Sequence, residues 1–129
     1  MTSTLDTLGD SQYALVTTFR KDGRGVPTAV WVVRDGDALA IWTGSESGKV
    51  KRIRRSSSIT VGPCDLRGRP TGDQVPAEAV ILDAEATNRV RKLLAKKYGI
   101  VGRITLLGSR IRRGTTGTLA IRISPRFVG

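Results

Sequence analysis

From Gln12 onward the chain alternates short apolar runs with tight polar turns. QYALVTTFR (12–20) and VPTAVWVVR (26–34) are rich in β-branched and aromatic residues and flank Lys21-Asp22-Gly23-Arg24-Gly25. Strand-like runs on either side of a turn that contains Asp-Gly predict a hairpin. Asp35-Gly36-Asp37 predicts a second turn into ALAIWTG (38–44), which extends the hairpin to a three-stranded meander. A fourth strand begins at Ile59 and reaches Pro63-Cys64-Asp65; LRGRPTGD (66–73) is a turn-rich connection. PAEAVILD (76–83) reads as a fifth strand, and TGTLAIRIS (116–124) as the last, ended by Pro125. About six strands of even spacing predict a mainly-β domain, a small antiparallel barrel closed so that no long edge stays unpaired.

Two stretches change period. Residues 47–55 read as a short helix that Ser45 or Ser47 can cap, since a serine oxygen accepts from an unpaired N–H of the first turn. Val50 and Ile53 lie three apart and mark its buried side. Helical geometry groups Lys49 with Arg52 on one flank and turns Lys51 and Arg55 to the far side. From Glu85, the residues Ala86, Val90, Leu93, Leu94 and Lys97 trace one helical face that ends at Tyr98-Gly99. IVGRITLLGSRIRR (100–113) follows as a second basic, amphipathic segment that packs on the barrel or lids a groove. Its alternative is to rest on an anionic membrane surface. No repeat or linker divides residues 1–129, so the expectation is one domain, with residues 1–10 flexible or partly ordered.

Charge and absences narrow the chemistry. Lys and Arg number 22 against 11 acids, a formal net charge of +11, which attracts polyanions without choosing among RNA, a membrane surface and a phosphorylated cofactor. There is no histidine, which removes the usual general base and the commonest metal ligand. The single cysteine, Cys64, excludes an internal disulfide and a Cys-rich zinc cluster, and no metal site is expected. Any enzyme built this way takes its chemistry from something it binds. The polar start MTSTLDTLGDSQ lacks a signal-peptide pattern, and no apolar run approaches the roughly 20 residues that span a bilayer. The expectation is a cytoplasmic protein without integral membrane association.

Four stretches, in order and at compatible distances, carry a family resemblance: LVTTFRKDGRGVPTAVWVV, LAIWTGSESGKVKRIRR with SSSITVGPCD, Arg67-Gly68-Arg69-Pro70-Thr71-Gly72, and RVRKLLAKKYGIVGRI. Together they resemble the flavin-reductase-like split β-barrel proteins related to pyridoxamine-phosphate oxidase. Within these the chain is most similar to the actinobacterial branch that uses the deazaflavin coenzyme F420. The resemblance implies a homodimer with the cofactor in a groove at the subunit interface, and an oxidoreductase acting on a small molecule. It implies that the loop Thr43-Gly44-Ser45 and the helix start Ser47-Gly48-Lys49 hold the cofactor phosphate, with Trp42 and Arg52 also among the cofactor-binding residues. It implies further that Thr28, Ala29, Val30 and Trp31 lie along the ring, which Pro63, Cys64 and Asp65 face in the dimer. One departure is visible: pyridoxamine-phosphate oxidases and many FMN-binding relatives carry Ser-Arg-Lys where this chain has Ser47-Gly48-Lys49. The missing arginine weakens the case for FMN and for vitamin B6 substrates.

These residue types suit that chemistry. Small residues let backbone approach a phosphate, helix-start N–H groups point at it, and Lys49 adds a point charge. Lys51, Arg52, Arg54 and Arg55 suit the oligoglutamate tail of F420. FMN remains the alternative cofactor, and a protein that stores F420 without turnover the alternative role. A basic barrel binding RNA or single-stranded DNA is the distant alternative. Such barrels use exposed aromatics for base stacking, and here Trp31 and Trp42 are committed to strands, so no nucleic-acid partner is expected. Tyr98, Lys49, an arginine or solvent stay open as proton donors.

Overall fold

A computed structural model describes residues 7–44, 47–113 and 118–125, with side chains over 100–113 excepted. Among the described residues seven strands and two helices are laid out in order: β1 Ala14–Phe19, β2 Gly25–Val30, β3 Val32–Asp35, β4 Ala38–Gly44, α1 Gly48–Arg55, β5 Ser58–Pro63, β6 Val75–Ile81, α2 Ala84–Arg113 and β7 Thr118–Pro125. All strand pairs are antiparallel, in the order β2-β1-β5-β6-β7-β4-β3.

The edge strands of this sheet, β2 and β3, are consecutive in the chain with only Trp31 between them. The sheet must therefore curl until its edges meet at that residue. The run 26–34, expected as one strand, keeps its alternation throughout but changes partner: Val30 pairs with Ala14 of β1, and Val32 with Ile41 of β4. Seven strands replace the six expected because one strand serves both edges.

Alternation fills the curl. Ala14, Val16, Leu39, Ile41, Ile59, Val61, Ala77, Ala79, Ile121 and Ile123 point into a shared core, which Val50 and Ile53 of α1 enter from one end. Burying each of these two side chains contributes about 1.5–3 kcal/mol, enough to dock a helix too short to persist alone. Positions of opposite parity on β3, β4 and β7 (Val33, Ala40, Ala120) form a second layer with Val90 and Leu94 of α2. Asp83 starts α2 by accepting from the Ala86 N–H at 2.8 Å. The outer face of β2, β1, β5 and β6 has no helix among the described residues packed along it.

At Gly99 the backbone takes φ 65° and ψ −144° and breaks α2 into 84–98 and 100–113, a conformation open to glycine alone. The break falls at the expected Tyr98-Gly99 terminus, and the 100–113 segment is helical. Just before it, the Lys97 ammonium donates to the carbonyls of Gly9 (3.1 Å), Ser11 (2.7 Å) and Val32 (2.6 Å). The Tyr98 hydroxyl donates to the Gln12 carbonyl at 2.7 Å and accepts from the Val32 N–H at 3.1 Å. Its ring stacks on Trp31 at 4.3 Å between centroids. Leu8 is fully buried in the core, so the segment from Thr7 to Gln12 is anchored; residues 1–6 lie outside the description.

Candidate functional site at the start of helix α1

Helix α1 starts where β4 ends. Ser47 is its N-cap: its Oγ accepts from the Val50 N–H at 3.3 Å and lies 3.2 Å from Thr43 Oγ1. Thr43, inward-facing and buried, thus braces the cap. No acidic residue occupies the first turn of α1, where a carboxylate would ordinarily offset the positive helix end. Two cations stand there instead. Lys49 is only 9% exposed and has no carboxylate or carbonyl partner among the described residues. Burial, and then the nearby Arg52 charge, push its ammonium below the usual lysine range. Arg52 reaches back across the helix and donates through Nε to Thr18 Oγ1 at 2.7 Å. A Cβ at Gly48 would stand 2.7 Å from Arg52 Nη1, so the guanidinium lies directly over that bare backbone.

Burying one cation beside another is unfavourable unless an anion compensates. The cradle is therefore poised for a negatively charged group with several acceptor oxygens. Lys51 and Arg54 are exposed. Arg55, also exposed, donates to the Phe19 carbonyl and ties α1 to the end of β1.

The remaining expected site residues divide between two faces. Thr28 and Val30 turn inward, Thr28 donating to the Val16 carbonyl at 3.3 Å and Val30 packing on the core. Ala29 faces outward and is exposed. A Cβ at Gly68 would lie 3.7 Å from the Ala29 methyl, so the β5–β6 connection passes over β2 at this point. Trp31 and Trp42 both join the layer beneath α2, Trp31 against Tyr98 and Trp42 paired with Ala120. Both indoles thus belong to a packing layer on the side of the sheet away from Thr43. Ser45 lies outside the described residues.

Pro63 completes a row across three strands, Val30–Ala14–Pro63. Cys64 bridges Pro70. Burial, with the Asp65 charge adding to it, holds its thiol above the usual range, protonated and a poor nucleophile. Asp65 knots the connection by accepting from the Arg67 and Arg69 N–H groups, each at 2.9 Å, and from Arg69 Nε at 2.9 Å. Those bonds, Arg69 foremost, hold its carboxyl below the usual range. The Pro63 row and the Thr18 anchor of Arg52 are four residues apart on β1, about 13 Å at strand rise.

Solved structures share this architecture. An F420 reductase aligns over 98% of this chain and 97% of its own at a TM-score of 0.62 and 15% identity. A protein from Listeria innocua named for pyridoxamine 5'-phosphate oxidase aligns over 93% and 88% at 0.64 and 17% identity. HutZ, the haem storage protein of Vibrio cholerae, aligns over 91% and 83% at 0.63 and 11% identity. The fold is the split barrel of pyridoxamine-phosphate-oxidase-like proteins. At these identities the likeness extends to the fold alone. No family model matches the chain, and no curated protein does.

Sequence reasoning missed Thr18, which anchors Arg52 from a strand distant in the chain. A threonine inside a run of strand formers carries no signal of that role. The apposition of Gly48 and Arg52, four apart on one helix, was within reach of the helical spacing.

Proposed function

We propose that this protein is a coenzyme F420-dependent oxidoreductase that transfers hydride between the deazaflavin and an unsaturated small molecule. The observation that carries the reading is Lys49, 9% exposed and without a carboxylate partner among the described residues, beside Arg52 at the start of α1. An anionic head group docks there, against helix N–H groups and two cations of different shape. The rest of an elongated ligand extends along the outer side of β1 and β2, beside the β5–β6 connection that passes over Ala29. A second copy of the chain covers that face and completes the groove. When bound, the deazaflavin supplies the two-electron hydride chemistry; this chain holds the anionic end, keeps water from the ring and positions the substrate. Tyr98, spent on Gln12 and Val32, is set aside as a proton donor.

Sharing a fold with an F420 reductase supports the reading. Sharing it with a haem storage protein carries less weight here, because the chain has no histidine to serve as an axial ligand.

Titration of the purified protein with F420, followed by the coenzyme's own fluorescence, tests the proposal. Saturable micromolar binding with weaker FMN binding is expected. Lys49→Ala should weaken F420 binding about 10- to 100-fold, the worth of one charge-assisted contact. Preferential FMN binding, or an unchanged Lys49→Ala variant, rejects the assignment. Oxidation of reduced F420 against a panel of enones and quinones then separates an enzyme from a storage protein.

A further inference from the structure

We propose that Gly48 is a positioning residue for anion binding: its missing side chain lets the Arg52 guanidinium fold over the first turn of α1 and join Lys49 as the fork of a two-cation clamp. The inference rests on the cradle proposed above and deepens it, naming how the second cation arrives and what ligand oxygens it takes.

Three observations converge. First, the space above Gly48 is filled: a Cβ there would come within 2.7 Å of Nη1, 3.4 Å of Cζ and 3.5 Å of Nη2 of Arg52. All three are guanidinium atoms, so an alanine methyl would push first on that group. Second, Nε of Arg52 is already committed to Thr18 Oγ1 at 2.7 Å, which fixes the plane of the guanidinium from behind. Among the described residues nothing else takes the two terminal nitrogens, which leaves a paired edge, the geometry that takes two oxygens of one phosphate or carboxylate. Third, Lys49 is nine-tenths buried beside this fork without an anionic partner among the described residues. A point charge and a planar fork at one helix start suit a ligand group with three or more acceptor oxygens, a phosphate before a carboxylate. Arg52 is the binding residue, and Gly48 acts through it.

Gly48→Ala, Arg52→Ala and the double variant, titrated with inorganic phosphate by NMR and with F420 by fluorescence, test the inference. Alanine is a better helix former than glycine, so the Gly48→Ala variant should melt at or above the wild-type temperature. It should nonetheless bind both probes about tenfold more weakly, in step with Arg52→Ala. Because Gly48 works only through Arg52, the double variant should be no weaker than Arg52→Ala alone. Wild-type affinity in Gly48→Ala, or losses that add in the double variant, overturns the inference. If Lys49→Ala abolishes binding while Gly48→Ala and Arg52→Ala do not, the cradle stands and the clamp falls. If neither probe saturates the wild type, both fall.

Discussion

Burial and the neighbouring Arg52 guanidinium push the Lys49 ammonium below the usual lysine range, which makes the cradle sensitive to pH. An unfolded lysine titrates near ~10.4. Between the lowered folded value and that one, the unfolded chain binds more protons, so this residue's contribution to stability rises with pH across the window. Ligand affinity moves the other way, because the anion needs the charged amine. Binding of inorganic phosphate should therefore weaken as pH rises, beginning below the ordinary lysine range. Lys49→Arg should flatten that profile in a series of titrations at stepped pH; an unaltered slope would place the titrating group elsewhere. The pairing of Lys49 with Arg52 on one flank was legible from helical spacing. The depth of Lys49 was not, because a charge run on a short helix usually marks a solvated side, and only docking of Val50 and Ile53 into the barrel end draws Lys49 under.

At the scale of elements, the end of the first half of α2 acts as a clasp. Lys97 and Tyr98 gather the carbonyls of residues 9–12 and the start of β3, and Trp31 stacks on Tyr98 where the chain changes partner. Tyr98→Phe keeps the stack and removes the hydroxyl, leaving the Gln12 carbonyl and Val32 N–H without it. A loss of about 1–3 kcal/mol in denaturant unfolding is expected. Burial, aided by Tyr13, raises the Tyr98 phenol above its usual value despite the Val32 bond. Stability owed to it is thus complete below about pH 10 and lost as pH climbs beyond. The phenylalanine variant should lack that alkaline component. The meander, the short helix and the break at Gly99 were legible, since turn residues and changes of period are local signals. The partner change at Trp31 was not. An unbroken alternation reads as one strand, and nothing local says that its halves bond to different neighbours. The use of Trp31 and Trp42 in the α2 layer likewise depends on a helix that comes much later in the chain.

For the whole molecule, the part of the outer face that neither a described helix nor the β5–β6 connection covers is the feature that asks for a partner. Pro27 and Ala29 on β2 are exposed there, and Thr17 and Thr60 are half-buried. A second copy seated on this face would complete the proposed groove, and a stable contact of that kind buries about 1,200–2,000 Å² in all. Sedimentation should find two chains together at micromolar concentration. Thr60→Arg, which sets a charge in the middle of the face, should shift the population toward single chains and weaken F420 binding with it. A wild type that sediments as one chain would remove the shared groove. The sheet order also has a consequence for biosynthesis. The β4 strand takes one neighbour, β3, immediately, but its other, β7, comes only after α1, β5, β6 and α2. Until the ribosome releases Thr118–Pro125, the nascent protein carries an apolar ribbon at Leu39–Ile41 with one flank bare, the kind of flank on which unfinished chains associate. Truncations just short of Thr118 should be worse for solubility than their length suggests.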